Sequence, residues 1–233
     1  MNKRAFFFFV ALLLAPLAAV HAAGAPVPAA RVITPHPTEA KLLLMGNWAD
    51  PSILKDGDDY YMTHSSFEFQ PGLLVWHSKD LRNWQPLARA VTNQPGSIWA
   101  PELIEHDGTF YIYYPASGGN FVVTANSPRG PWSPPRSLGV GYIDPGHVVG
   151  PDGKRHLHLS AGYSVALSPD GLQAIGKPQR IYEGWPIPPD WAIECFCLES
   201  PKLTARGGWY YRCEAIRLCR RRARVEGGRH ASR

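Results

Sequence analysis

Acidic side chains recur beside prolines at matching places along this chain: Asp50 before Pro51, Glu102 after Pro101, Asp144 before Pro145, and Glu199 two residues before Pro201. Carboxyl groups held close together can divide the work of acid and base, one giving a proton while another takes one. Taken singly, an Asp before Pro is an ordinary turn starter, and a Glu at a strand end is usually solvated. Three of them in one register of a repeat make a shared site the better reading. The other residues capable of chemistry carry less. His64, His147, His156 and His158 invite a metal reading, but His156 and His158 fall on one strand face without an acidic partner, so ordinary strand histidines and no metal are expected. Cys195 and Cys197 lack zinc-site spacing, and with Cys213 and Cys219 they make no dense disulfide framework. Small buried thiols on a strand are the simplest expectation.

The elements that must carry these carboxylates show themselves as a repeat of about fifty residues. Asp50-Pro51-Ser52-Ile53-Leu54 leads through Asp56-Gly57 to Tyr60-Tyr61-Met62. Ala100-Pro101-Glu102-Leu103-Ile104 leads through Asp107-Gly108 to Phe110-Tyr111-Ile112. A third copy runs from Asp144-Pro145-Gly146-His147 through Asp152-Gly153 to His156-Leu157-His158-Leu159, and a fourth from Ser200-Pro201-Lys202-Leu203 through Gly207-Gly208 to Trp209-Tyr210-Tyr211. Asp-Gly and Gly-Gly supply the positive φ of tight hairpin turns. A second hairpin signal follows in the first three copies, at Ser78 to Trp84, Asn126 to Trp132 and Ser168 to Gly171. Four short strands per repeat of this length describe a propeller blade. A β-sandwich would also give short strands but does not demand internal similarity.

Composition agrees with an all-β chain. With 45% hydrophobic and 18% charged residues it is no disordered protein, and its 22 Gly and 23 Pro follow no collagen period. The net charge of +5 sits at the two ends, in Lys3 and Arg4 and in an Arg-rich stretch over 212–233, leaving the middle mildly acidic. A nucleic-acid partner is therefore not expected. Residues 1–22 read as a secretory signal, with a short basic start, an apolar run from Ala5 to Val20 and a cleavage position near Ala22. That run is broken by Pro16 and short for a membrane span of about 20 residues, so a periplasmic or secreted protein with no membrane attachment after cleavage is expected. Residues 23–46 read as a linker, 47–211 as the folded repeats, and 212–233 as a basic tail without strand alternation, as an out-of-frame segment would give. Less than one further repeat follows Pro201. The expectation is a partial ring of three blades and the start of a fourth, with open edges and weak or no activity.

At Asn47-Trp48-Ala49-Asp50-Pro51-Ser52, Trp99-Ala100-Pro101-Glu102, Ile143-Asp144-Pro145-Gly146-His147 and Leu198-Glu199-Ser200-Pro201-Lys202-Leu203, the chain resembles glycoside hydrolase family 43 over roughly residues 46–211. The resemblance implies a five-bladed β-propeller that cleaves xylose- or arabinose-containing glycans with inversion, needing no cofactor. Asp50 would be the general base that activates water, Glu199 the general acid, and Asp144 the group that orients the acid and keeps it protonated by like-charge repulsion. Trp99, Glu102 and Trp48 would contact substrate, with Phe67 and Tyr163 left as packing aromatics. Glu194 is the rival acid, but five residues separate it from Glu199, so an unbroken strand would turn the two to opposite faces. A carbohydrate- or protein-binding propeller without catalysis is the alternative, as is a degenerate fragment.

Overall fold

The computed structural model describes residues 42–184, 186 and 197–217. The signal segment, most of the 23–46 linker, Glu194, Cys195, Cys219 and most of the basic tail lie outside the described residues. Among the described residues no helix is long and apolar enough to cross a membrane. The elements are β1 (Ser52–Asp56), β2 (Asp59–Thr63), β3 (Gly72–Ser78), β4 (Gln85–Val91), β5 (Glu102–His106), β6 (Thr109–Ala116), β7 (Gly119–Ala125), β8 (Arg136–Ser137), β9 (Gly146–Val149), β10 (Arg155–Leu159), β11 (Tyr163–Leu167), β12 (Ala174–Arg180), β13 (Cys197–Arg206) and β14 (Trp209–Arg217). They form three four-stranded antiparallel meanders, β1 to β4, β5 to β8 and β9 to β12, followed by the hairpin β13–β14. Three blades and the first hairpin of a fourth are what the repeat predicts.

The hairpin turns fall where the glycines put them. Asp107 and Gly108 both take positive φ (50° and 77°), as do Gly207 and Gly208 (59° and 79°), matching the twist that two-residue turns need. The middle strands of the second blade, β6 and β7, are largely buried on both faces, since that blade lies between the first and the third. On β6 the period of two divides the side chains between two cores. Ile112 and Tyr114 join Leu73, Val75, Ile98 and Val123 toward the first blade. Tyr111 and Tyr113 join Val122, Leu157, Leu159 and Val165 toward the third. Each fully buried aliphatic contributes about 1.5–3 kcal/mol, so these two seams hold the blades together. The innermost strands β1, β5, β9 and β13 pack in sequence order around one axis.

β14 departs from the sequence reading. The strand pattern does not stop at Tyr211; it continues to Arg217, which pairs with Cys197. Arg212 and Glu214 point the same way and form an ion pair, so charges that look alien to a strand compensate each other there. The cysteines also differ from expectation. Cys197 is disulfide-bonded, and Cys213 is free but exposed rather than buried.

One polar network bridges the second and third blades. Arg155 is buried, donating Nε to Nε2 of His147 at 3.1 Å and Nη2 to the Tyr113 hydroxyl at 3.0 Å, with its guanidinium over the Tyr111 ring. Tyr113 in turn donates to the Gly171 carbonyl at 3.0 Å. His147 must stay neutral to accept from Arg155. Burial, then the Arg155 charge, push it down from 6.5 to about 3. A histidine depressed in the fold stabilises above its unfolded value, and that stability is lost as pH falls toward the folded one. Between pH 7 and pH 4 this residue alone should remove about 3 kcal/mol. Urea melts at pH 7, 5.5 and 4 should show that loss, and His147→Gln, which keeps an acceptor for Arg155, should reduce it by about this amount while His64 and His158, also depressed by burial, retain theirs.

Candidate active site

The four residues that precede the repeat prolines share an unusual backbone. Asp50, Ala100, Asp144 and Ser200 have φ of 54°, 23°, 57° and 55°. Residues other than glycine resist this region at a cost of order 1–3 kcal/mol, and a following proline forbids the ordinary helical alternative. Three of the strained corners sit just before β1, β5 and β9 and the fourth at the bulge within β13, and they gather at one end of the axis. Sequence spacing alone predicts repeat register; the corners are what bring the carboxylates to one end.

Asp144 is the hub. It is buried, its Oδ2 accepts the Ser200 N–H at 2.9 Å, and that amide belongs to the residue directly after Glu199. Burial raises the Asp144 carboxyl above its ordinary value, and the charges of Glu199 and Asp50 raise it further, against the opposing Ser200 bond and the Lys202 ammonium. All three sequence-predicted acids therefore interact in one cluster. Their exposure is graded: Asp144 buried, Glu199 half-buried, Asp50 exposed. The pairing of β13 with β14 slips between Glu199 and Lys202, and such a bulge re-aims the side chains beside it.

Asp50 is held by a residue outside the repeat motifs. The Ser65 hydroxyl donates to Asp50 Oδ2 at 2.5 Å and accepts the Ala100 N–H at 2.7 Å, while the Ser65 N–H donates to the Ala49 carbonyl at 3.0 Å. Ser65 is buried and joins the first blade to the second. It lies in the run Thr63-His64-Ser65-Ser66, polar residues at the end of a core strand that are all buried. Beside it, His64 stays neutral through burial, and Trp48 packs on it and on Trp76 at 4.7 and 5.3 Å between ring centres.

A hollow of about 380 Å³ is lined by Trp99, Pro115, Ser117, Tyr142 and Ile143 among others, and by none of the three carboxylates. Two of its lining residues, Trp99 and Ile143, immediately precede the corners at Ala100 and Asp144 in the chain. Trp99 is 46% and Tyr142 41% exposed, large rings left uncovered where a ligand could cover them. Tyr142 stacks on Tyr163 at 4.1 Å. Its loop is fixed by Asn120, whose buried amide donates to the carbonyls of Gly141 and Tyr142, each at 3.0 Å. Trp48, by contrast, is half-buried and absent from the residues lining that hollow. Glu102 turns into the axis, where it is buried, receives the Ser52 hydroxyl at 3.2 Å and meets the Lys202 ammonium at 2.5 Å. Its carboxylate is engaged there rather than presented to the hollow. Among the described residues no group of three or more His, Cys, Asp or Glu could hold a metal ion.

The sequence profile described as "Glycosyl hydrolases family 43" matches residues 41–232. The chain is 32% identical over 219 residues to a xylan 1,3-beta-xylosidase from Vibrio sp, covering 76% of this chain and 39% of that protein. It is 40% identical over 144 residues to a non-reducing end alpha-L-arabinofuranosidase from Bacteroides ovatus, covering 55% of this chain and 25% of that one. Among solved structures, a Bacteroides ovatus family 43 protein of a xyloglucan locus superimposes with a TM-score of 0.65 at 32% identity, over 76% of this chain and 37% of its own. A xylan beta-1,4-xylosidase from Bacillus halodurans gives 0.62 at 32% identity, over 75% and 38%. The chain thus spans less than two fifths of the length of these relatives.

Proposed function

The chain belongs to glycoside hydrolase family 43, and from that premise we propose that it hydrolyses xylose- or arabinose-containing glycans with inversion at the anomeric carbon. The observation that carries this reading is the Asp144 hub, which ties the Glu199 corner by a hydrogen bond and senses the charges of Glu199 and Asp50 together. Inversion needs a base and an acid on opposite sides of the scissile bond, with room for water between them. Asp50, the exposed member, takes the proton of the attacking water through the oxygen that Ser65 leaves open. Ser65 fixes the carboxylate so that this oxygen is presented in one direction. Glu199 gives its proton to the leaving oxygen. Asp144, its carboxyl raised by burial and by the charges of Glu199 and Asp50, holds the Ser200 amide and so orients the acid beside it.

Trp99 forms one wall of the sugar site, its exposed ring offering a flat face to sugar C–H groups. Trp48 borders the site from the Asp50 side. Glu102 serves substrate only indirectly, through the axis. The basic start and apolar run of residues 1–22 support export to the periplasm or beyond, where such glycans are met.

The test follows the first sugar released. With an aryl β-xyloside, proton NMR during the first minutes should show α-xylose before mutarotation supplies the β anomer. With an aryl α-L-arabinofuranoside, the β anomer should come first. Release of the anomer of unchanged configuration, or binding without release, would overturn the proposal.

A further inference from the structure

Lys202 occupies the position directly after the fourth repeat proline, in register with Ser52, Glu102 and Gly146. Its ammonium meets Glu102 Oε2 at 2.5 Å and lies 3.4 Å from the carbonyl oxygens of both Pro101 and Pro145. Glu102 also receives the Ser52 hydroxyl, which itself accepts the Leu103 N–H at 3.0 Å. One hydrogen-bonded chain therefore runs through all four inner strands, and Lys202 supplies its contacts to the second and third blades. It does so three residues after Glu199 and two after the amide that binds Asp144.

We propose that Lys202 is a positioning residue for the carboxylate cluster: anchored to the second and third blades, it fixes the bulge of β13 so that the Ser200 amide stays on Asp144 and Glu199 faces it. The inference rests on the reading of Asp144 as part of the site, but not on turnover. Two geometric facts and one electrostatic one support it. The slip in β13–β14 pairing lies between Glu199 and Lys202, so the bulge is free of the regular ladder and needs another anchor. Gly146 leaves no room for a side chain against the Pro201 carbonyl, so β13 and β9 approach closely where Lys202 reaches the Pro145 carbonyl. The electrostatics agree: the charges of Glu199 and Asp50 raise the Asp144 carboxyl, while the Ser200 hydrogen bond and the Lys202 ammonium oppose them.

A lysine that merely stiffened the fold would alter stability alone. One that positions the cluster alters the titration of Asp144. In the full chain, carbon-13 NMR of the Asp144 carboxyl should show its midpoint move upward by about one unit in Lys202→Met, as loss of a nearby cation does. The Ser200 amide proton should then cease to follow that titration. Lys202→Arg should restore both signals in large part, while Lys202→Met and Lys202→Arg variants of equal thermal stability would separate positioning from stiffness. If Lys202→Met folds and leaves the Asp144 midpoint and the Ser200 amide unchanged, the proposal is overturned. If that variant does not fold, the wild-type chain decides: the Lys202 Cε signal should shift with the Asp144 midpoint, and a Cε signal indifferent to it overturns the proposal. None of these readings needs substrate. An inactive chain would count against hydrolysis and leave this assignment to stand or fall by its own spectra.

Discussion

Under the proposed mechanism, Glu199→Gln should slow hydrolysis of an unactivated aryl xyloside by roughly 10²–10⁴-fold, and Asp50→Asn by a similar factor, because each would remove one proton transfer from the transition state. The two losses should part when the leaving group changes. A dinitrophenolate departs without protonation, so the dinitrophenyl xyloside should recover most of its rate in Glu199→Gln. Asp50→Asn should stay slow on both substrates, since the attacking water still lacks its base. Both substitutions nearly preserve shape and hydrogen bonding, and the amide oxygen introduced by Asp50→Asn can still accept from Ser65, so the loss would come from charge and proton rather than packing. Measuring kcat/KM for both variants on both substrates gives four numbers. If the leaving group rescued Asp50→Asn instead, the acid and base assignments would have to be exchanged; equal behaviour of the variants would dissolve the assignment altogether.

A single methyl group at Gly146 should do comparable damage by another route. A Cβ there would lie 1.7 Å from the Pro201 carbonyl oxygen, with the Leu203 side chain at 3.1 Å, and the oxygen belongs to the backbone and cannot swing aside. β9 and β13 would have to separate. Overpacking of this kind costs about 3 kcal/mol, a fall in Tm of roughly 6–12 °C for a domain of this size. The same displacement would stretch the bond from the Ser200 amide to Asp144, which spans these two strands' heads. Gly146→Ala should therefore lose more turnover at about 20 °C than its residual folded fraction explains. Gly141→Ala is the control: a Cβ there meets only the Gly118 carbonyl at 4.0 Å, and its effect should stay within about 0.5 kcal/mol. Thermal melts and initial rates on the two variants read the contrast directly.

Much of this molecule can be read along the chain because its local rules repeat. The turns at Asp107-Gly108 and Gly207-Gly208 need positive φ, and the residue types announce it. The copies headed by Pro51, Pro101, Pro145 and Pro201 each place an inner strand where the structure has β1, β5, β9 and β13. Asp50, Asp144 and Glu199 stand out because they share that register. The end of β14 was not legible, since Arg212 and Glu214 look foreign to a strand until their pairing across one residue is seen. Ser65 was not legible as a partner of Asp50 either: fifteen residues separate them, and a serine within a polar run carries no label for what it will bind.

What the sequence determined by itself is therefore the repeating unit, its turns and the acidic residues at its head, all set by φ preferences and by side-chain period within a few residues. Which of those acids lie near one another, and which are engaged elsewhere, is settled by the packing of separate blades. Glu102 and Asp144 head matching strands, yet one is neutralised by Lys202, 100 positions away, and the other is buried among like charges. The physical reason is that the cost of a buried charge depends on what lies within a few ångströms of it, and those neighbours arrive only when separate blades close on one axis.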